Sequence, residues 1–381
     1  MSFKVKNYIN YIYLIVILIV LWFLYNRYED KRAREENVGN YDAIQKYLLN
    51  ETSLADTKKP ILWIPITYEY NSRNWISFGS RSSFDLNQPY IYLTVRSIIN
   101  QCQDSFHICI IDDESFGKIL PNWTVNMGTI ASPVSDYMRS LALSKILYKY
   151  GGLIVPPSFL CMRNLIDLYA MGTSGEKMFI CETVDRNITS TTHEFYSDIS
   201  FMGSPKECPV VKDMIDFMQR TISSDFTAQA EFLGDFNRWC NSRVQKHQIN
   251  LIPGKLIGTK TMDDTMILVD NLLSNDYIEL YPQAYGIYIP AKEILMRRHY
   301  EWFARMSQKQ VLESNVIICK YILLASTPDS KKGTIEPMNN NNGWSNHWIG
   351  YWQVPSGFGL WGPKPQPFAT HLIMKKTDPK P

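Results

Sequence analysis

A chain of 381 residues, 45% hydrophobic and 13% aromatic, holds enough apolar material for one large domain or two smaller ones. Its formal charge of +2 is near neutral, and no basic face is clustered along it, which removes the electrostatic case for a nucleic-acid partner. The seven cysteines are scattered with no C-x-x-C pair, against a zinc ribbon; several, such as Cys109 in His107-Ile108-Cys109-Ile110-Ile111, read as small buried hydrophobes.

The chain opens with a short tail, residues 1–7. Tyr8 to Tyr25 carries no charge and reaches the lower end of the length a membrane-spanning helix needs. Tyr8, Tyr11 and Tyr13 mark one end of it, and Trp22 and Tyr25 the other, as an interfacial aromatic belt does. The apolar core is long, and Asn26-Arg27-Tyr28-Glu29-Asp30 follows it instead of a small-residue cleavage site. The expectation is therefore an uncleaved single-pass anchor over residues 8–25 rather than a signal peptide. Its topology stays open: Lys4 and Lys6 are outnumbered by Arg27, Lys31, Arg32 and Arg34, while sequons at Asn50, Asn122 and Asn187 suit a luminal body. Residues 26–58 are charged and polar and read as a stem, and residues 59–381 as the folded body.

The body begins with the apolar strand Ile61 to Ile66, then a polar loop, Asn71 to Asn87. Pro89 opens a helix over Tyr90 to Gln101, with Ile91, Val95, Ile98 and Ile99 at helical spacing. A second strand, His107 to Ile111, runs into Asp112-Asp113-Glu114. Strand, helix and strand in this order predict a parallel α/β sheet flanked by helices. A short strand is expected near Gly128 to Ile130. Ser135 then caps a helix with Met138, Leu141, Ala142 and Leu147 on its apolar face; Gly151 supplies the left-handed exit, and Leu153-Ile154-Val155 is a buried strand ending in Pro156-Pro157-Ser158. Further strands are predicted at Met178 to Cys181 and Ile199 to Met202, and helices at Leu165 to Tyr169, Val210 to Arg220, Phe226 to Gln245, Met266 to Leu273 and Ala291 to Met306. The tail Gly343 to Phe368 is dense in Trp, Gly and Pro. Gly-x-Ser-x-Gly, P-loop and Gly-x-Gly-x-x-Gly motifs are all missing from the sequence, against serine hydrolases, P-loop NTPases and Rossmann dehydrogenases.

Ser135, Asp136, Arg139, Leu147, Tyr148, Tyr150, Gly151 and Gly152 stand in the register S-D-x-x-R, apolar helix, L-Y-x-Y-G-G. In this the chain resembles the glycosyltransferases with a sugar-binding region containing a DXD motif, a GT-A-fold family with capsular-polysaccharide and α-mannosyltransferase-like members. The likeness covers residues 60–220 in outline and the stretch around the paired glycines in detail. It implies a GT-A-like, Rossmann-type, mostly parallel sheet. It also implies transfer of a sugar from a nucleotide-diphosphate donor to a glycan, lipid or protein hydroxyl, with the anomeric configuration retained. Asp136, Arg139, Gly151, Gly152, Pro156 and Ser158 become nucleotide-sugar-binding candidates, Asp136 toward ribose or base and Arg139 toward phosphate or sugar.

Pro156 and Ser158 stand where the family has the two acids of its DXD, which hold Mn²⁺ or Mg²⁺ against the diphosphate. The usual metal site is thus absent or differently built. The candidate substitutes are Asp112 and Asp113, Asp263 and Asp264, His347 in an echo of the family's C-terminal His-x-x-x-x-Trp segment, or metal-free clamping by Lys255, Lys260 or Arg297-Arg298-His299. The loop residues Asn71, Arg73, Asn74, Arg81 and Ser82 could contact nucleotide, and Trp344, Trp348, Tyr351, Trp352 and Trp361 could stack on sugar. The alternative is a catalytically silent relative that keeps the fold as a glycan-binding or scaffold protein at a membrane.

Overall fold

The structure, a computed structural model, describes residues 18–25, 27, 59–66, 88–121, 123–130, 134–183, 196–224 and 229–326. The chain divides into two compact units, Met1–Leu48 and Leu49–Pro381. In the first, residues 18–25 are helical, and Leu18 to Tyr25 all present exposed apolar side chains. Among the described residues no helix is long and apolar enough to cross a membrane. The expected span over 8–25 is therefore not borne out, since residues 8–17 lie outside the described set.

The second unit is a mixed α/β body around a six-stranded, mostly parallel sheet. Its early elements are β1 (Ile61–Pro65), α1 (Tyr90–Cys102), β2 (His107–Ile111), α2 (Ser115–Ile119), α3 (Val134–Tyr150) and β3 (Gly152–Ile154). Then come β4 (Phe159–Cys161), α4 (Ile166–Gly172), β5 (Phe179–Thr183), β6 (Tyr196–Ser204), α5 (Pro209–Ser224), α6 (Gln229–Gln245) and β7 (Asn250–Ile252). The last are α7 (Val269–Leu272), β8 (Gly286–Tyr288), α8 (Ala291–Met296), α9 (Glu301–Ala304), α10 (Gln308–Glu313) and α11 (Ile317–Ser326).

The sheet order is β2-β1-β3-β6-β5-β7. Strand β1 pairs in parallel with β2 and β3, and β5 with β7; only β6 is reversed, antiparallel to both β3 and β5. Strand β4 forms a separate antiparallel pair with β8.

Burial on both faces explains the uninterrupted apolar strands. Ile61 and Trp63 alternate with Leu62 and Ile64, and none of the four is more than 4% exposed. One face carries a core shared with α2, α3, α5 and α6. Helix α1 packs instead along β4, and α10 and α11 pack on α1.

Three expected elements differ. The segment at 127–129 is one turn of 3₁₀ helix rather than a strand, because the Asn126 side chain accepts a hydrogen bond from the Gly128 amide and closes the turn. Helix α7 begins only at Val269: Met266 bridges to Lys260 across the Thr261–Thr265 turn and keeps the chain extended. The helix expected over 291–306 breaks at Arg297, which adopts an extended backbone. Strands β4, β7 and β8 are too short to carry a period-2 signal.

Candidate functional site at the strand ends

The order β2-β1-β3 places a topological switch point between β1 and β3: the chain leaves β1 to one side for β2, then returns to the other for β3. Open α/β sheets bind ligands in the crevice at the carboxyl ends of such strands. The ladder holds to that edge. The Ile66 amide donates to Ile111 O at 2.7 Å, and the Val155 amide to Trp63 O at 2.9 Å. Beyond it lie Asp112-Asp113 after β2, the first turn of α3, and the Pro156-Pro157-Ser158 bend.

There Arg139 joins two carboxylates. Its Nε and Nη2 donate to the two oxygens of Asp113 at 2.8 and 2.7 Å, a bidentate fork. Its Nη1 donates to Asp136 Oδ1 at 2.9 Å. The other Asp136 oxygen lies 3.4 Å from Lys292 Nζ on α8. Gln88 fixes α8 to the start of α1: its Nε2 donates to Ala291 O at 3.0 Å, while Tyr90 Oη donates to its Oε1 at 2.9 Å. The four formal charges sum to zero. The Arg139 side chain is 19% exposed and that of Lys292 65%, so Lys292 is the cation open to an incoming anion.

Asp112 is committed locally. Its Oδ1 accepts from the Ser115 amide at 2.9 Å and the Ser115 hydroxyl at 2.6 Å, which closes the entry to α2. Pro156 and Ser158 are both buried, and the bend is tied to α1 by the Thr94 hydroxyl donating to Pro157 O at 2.6 Å. Gly151 and Gly152 do not join this site. They stand at the opposite, amino edge of β3, where Gly152 has φ +104° and a Cβ on it would lie 2.2 Å from Ile61 O. The neighbouring Gly151 carbonyl accepts from Trp63 Nε1 at 2.9 Å. The paired glycines belong to the frame, where only glycine lets β3 start against β1.

Asp263 and Asp264 project from an exposed turn closed by the Thr261 amide to Thr265 O at 2.8 Å. His347, the loop residues 71–82 and the tail tryptophans lie outside the described residues. Among the described residues no group of three metal-binding side chains converges. With both Asp113 oxygens on Arg139, one Asp112 oxygen on Ser115, and a proline and a buried serine at the bend, the described residues do not fit a divalent cation at this strand end.

Three of the basic candidates have partners of their own. Lys255 Nζ sits 5.6 Å from the Tyr281 ring centre, Arg297 lies 3.4 Å from Glu293, and Lys260 pairs with Glu182. Glu182, 6% exposed, ends β5 on the same edge of the sheet and also accepts from the Gly254 amide at 2.8 Å. Its only sequence signal was an acid directly after the apolar run Met178 to Cys181. Lys292 had none, since only the docking of α8 brings it beside Asp136.

Comparison of the chain with protein-family models, with curated proteins and with solved structures finds no match.

Proposed function

We propose that this protein is a membrane-anchored, GT-A-like glycosyltransferase of the DXD-region family. It transfers a sugar from a nucleotide-diphosphate donor to a glycan, lipid or protein acceptor. The observation that carries the reading is the gathering of Asp113, Asp136, Arg139 and Lys292 at the carboxyl ends of β1, β2 and β3, beside the switch point. In this reading Arg139 holds Asp136 toward the donor's ribose or base. Lys292 turns from Asp136 to the diphosphate and meets the negative charge it gathers on leaving. The Pro156-to-Ser158 bend, with Pro157 half-buried between two buried residues, forms a rigid floor. The anchor is residues 8–25, single-pass, with the stem 26–58 between it and the body.

Calorimetry of the full chain in detergent with nucleoside diphosphates, with and without Mn²⁺, tests the reading. Binding that persists in EDTA supports it. No binding under either condition removes it. The burial of Pro156 and Ser158 and the engagement of both Asp113 oxygens favour a second reading, a catalytically silent glycan-binding or scaffold relative. Slow hydrolysis of any nucleotide sugar by the purified chain would separate the two in favour of the enzyme.

A further inference from the structure

Helix α1 is clasped to the segment after the Pro-Pro bend by a series of contacts in register. Thr94 donates to Pro157 O at 2.6 Å, the Cys161 amide donates to Ser97 Oγ at 2.9 Å, and Asn164 Nδ2 donates to Ser105 Oγ at 2.7 Å. Cys102, the last residue of α1, lies between the second and third of these clasps. Its thiol neighbours that of Cys161 on β4, which itself donates to Arg163 O at 3.0 Å. Both cysteines are fully buried. Polar contacts on either side tie together the two segments that carry them, and a disulfide needs its two cysteines held close.

We propose that Cys102 and Cys161 are a disulfide-forming pair, a covalent modification site that joins the end of α1 to β4. The oxidant is a disulfide, small-molecule or protein. One cysteine thiolate attacks its S–S bond, forms a mixed disulfide and releases one thiol. The second cysteine then displaces the other half. Two protons and two electrons leave the pair, and the oxidant departs as two thiols. Both thiols are fully buried once the chain has folded, so the oxidant reaches them while it folds. The closed loop contains β2, Asp113, α3 with Asp136 and Arg139, and the Pro156-to-Ser158 bend, so the bond constrains the whole strand-end cluster. The inference is independent of what that cluster binds.

The test treats the full chain in detergent with glutathione disulfide, once folded and once during refolding from urea, followed by alkylation and peptide mass spectrometry. The expected result is a Cys102–Cys161 linked peptide in the refolded arm at least, with two of the seven thiols lost. The oxidised protein also has a raised melting temperature, reversed by dithiothreitol. Cys102→Ala and Cys161→Ala each abolish the linked peptide without creating another. All seven cysteines alkylated in both arms, or Cys102 or Cys161 linked to a different cysteine, overturns the proposal.

Discussion

Arg139 grips Asp113 through two parallel hydrogen bonds, 2.8 and 2.7 Å long, across 26 positions of sequence. The contact fastens the second turn of α3 to the exit of β2, and through Asp136 and Lys292 it reaches α8. It turns four charged groups from three parts of the chain into one neutral cluster at the sheet's carboxyl edge.

That fork is specific to a guanidinium. Arg139→Lys keeps the charge and at most one of the two bonds to Asp113, because a lysine ammonium lacks the planar pair of donors. Asp113→Ala removes the fork and keeps the Arg139 bond to Asp136. Each variant is expected to lose about 1–2 kcal/mol of stability in urea unfolding, between the value of an exposed ion pair and that of a charged hydrogen bond. An unchanged midpoint for both would mean that the fork adds nothing to the fold.

Lys292 separates binding from stability. Its side chain is 65% exposed, so Lys292→Ala should leave the unfolding free energy within about 0.5 kcal/mol of the parent. If the strand-end cluster takes a diphosphate, the same variant should weaken nucleoside-diphosphate binding about tenfold, the value of one charged hydrogen bond. Calorimetry on the two proteins reads the difference. Equal affinities would take Lys292 out of the site.

The paired glycines act on folding alone. Gly152→Ala places a methyl group 2.2 Å from the Ile61 carbonyl at a backbone with φ +104°, and neither strand can yield without breaking the β1–β3 ladder. A loss of at least about 3 kcal/mol is expected, read as a collapse in soluble yield or a much lower urea midpoint. Any nucleotide affinity per folded molecule should survive in what does fold.

Tyr300 links stability to alkaline pH. Its hydroxyl donates to Asp270 Oδ1 at 2.8 Å. Burial first, then that hydrogen bond and the Asp270 charge, push the phenol up to about 12 from its ordinary value of 10.0. The folded state therefore holds the proton more tightly than the unfolded chain. The resulting stability is complete below pH 10 and declines as pH rises from 10 toward 12. Tyr300→Phe should flatten that part of the urea-midpoint profile, between about pH 10 and about pH 12. An unchanged slope would remove Tyr300 as its source.

Local patterning carried far in this chain. Helical spacing in Tyr90 to Gln101 and Met138 to Leu147, and the apolar runs at 61–66 and 107–111, predicted elements that formed within a residue or two of their expected limits, but α3 begins at Val134, which puts Ser135 inside the helix rather than at its cap. Each of those signals is contained within a few turns of backbone. The break at Arg297 and the late start of α7 depend on contacts made elsewhere, such as Met266 with Lys260, and local spacing carries no trace of them.

By itself the sequence determined the α/β class, the helix that ends in paired glycines, and the acids waiting after β2. Periodicity, capping and turn chemistry are properties of neighbours along the chain. Only the tertiary structure decided that Gly151 and Gly152 lie on the opposite edge of the sheet from the bend they precede. It alone decided that Arg139 takes Asp113 as its main partner and that Lys292 completes the cluster. Those pairings join residues separated by helices and strands, and their geometry exists only once β2, α3 and α8 have packed.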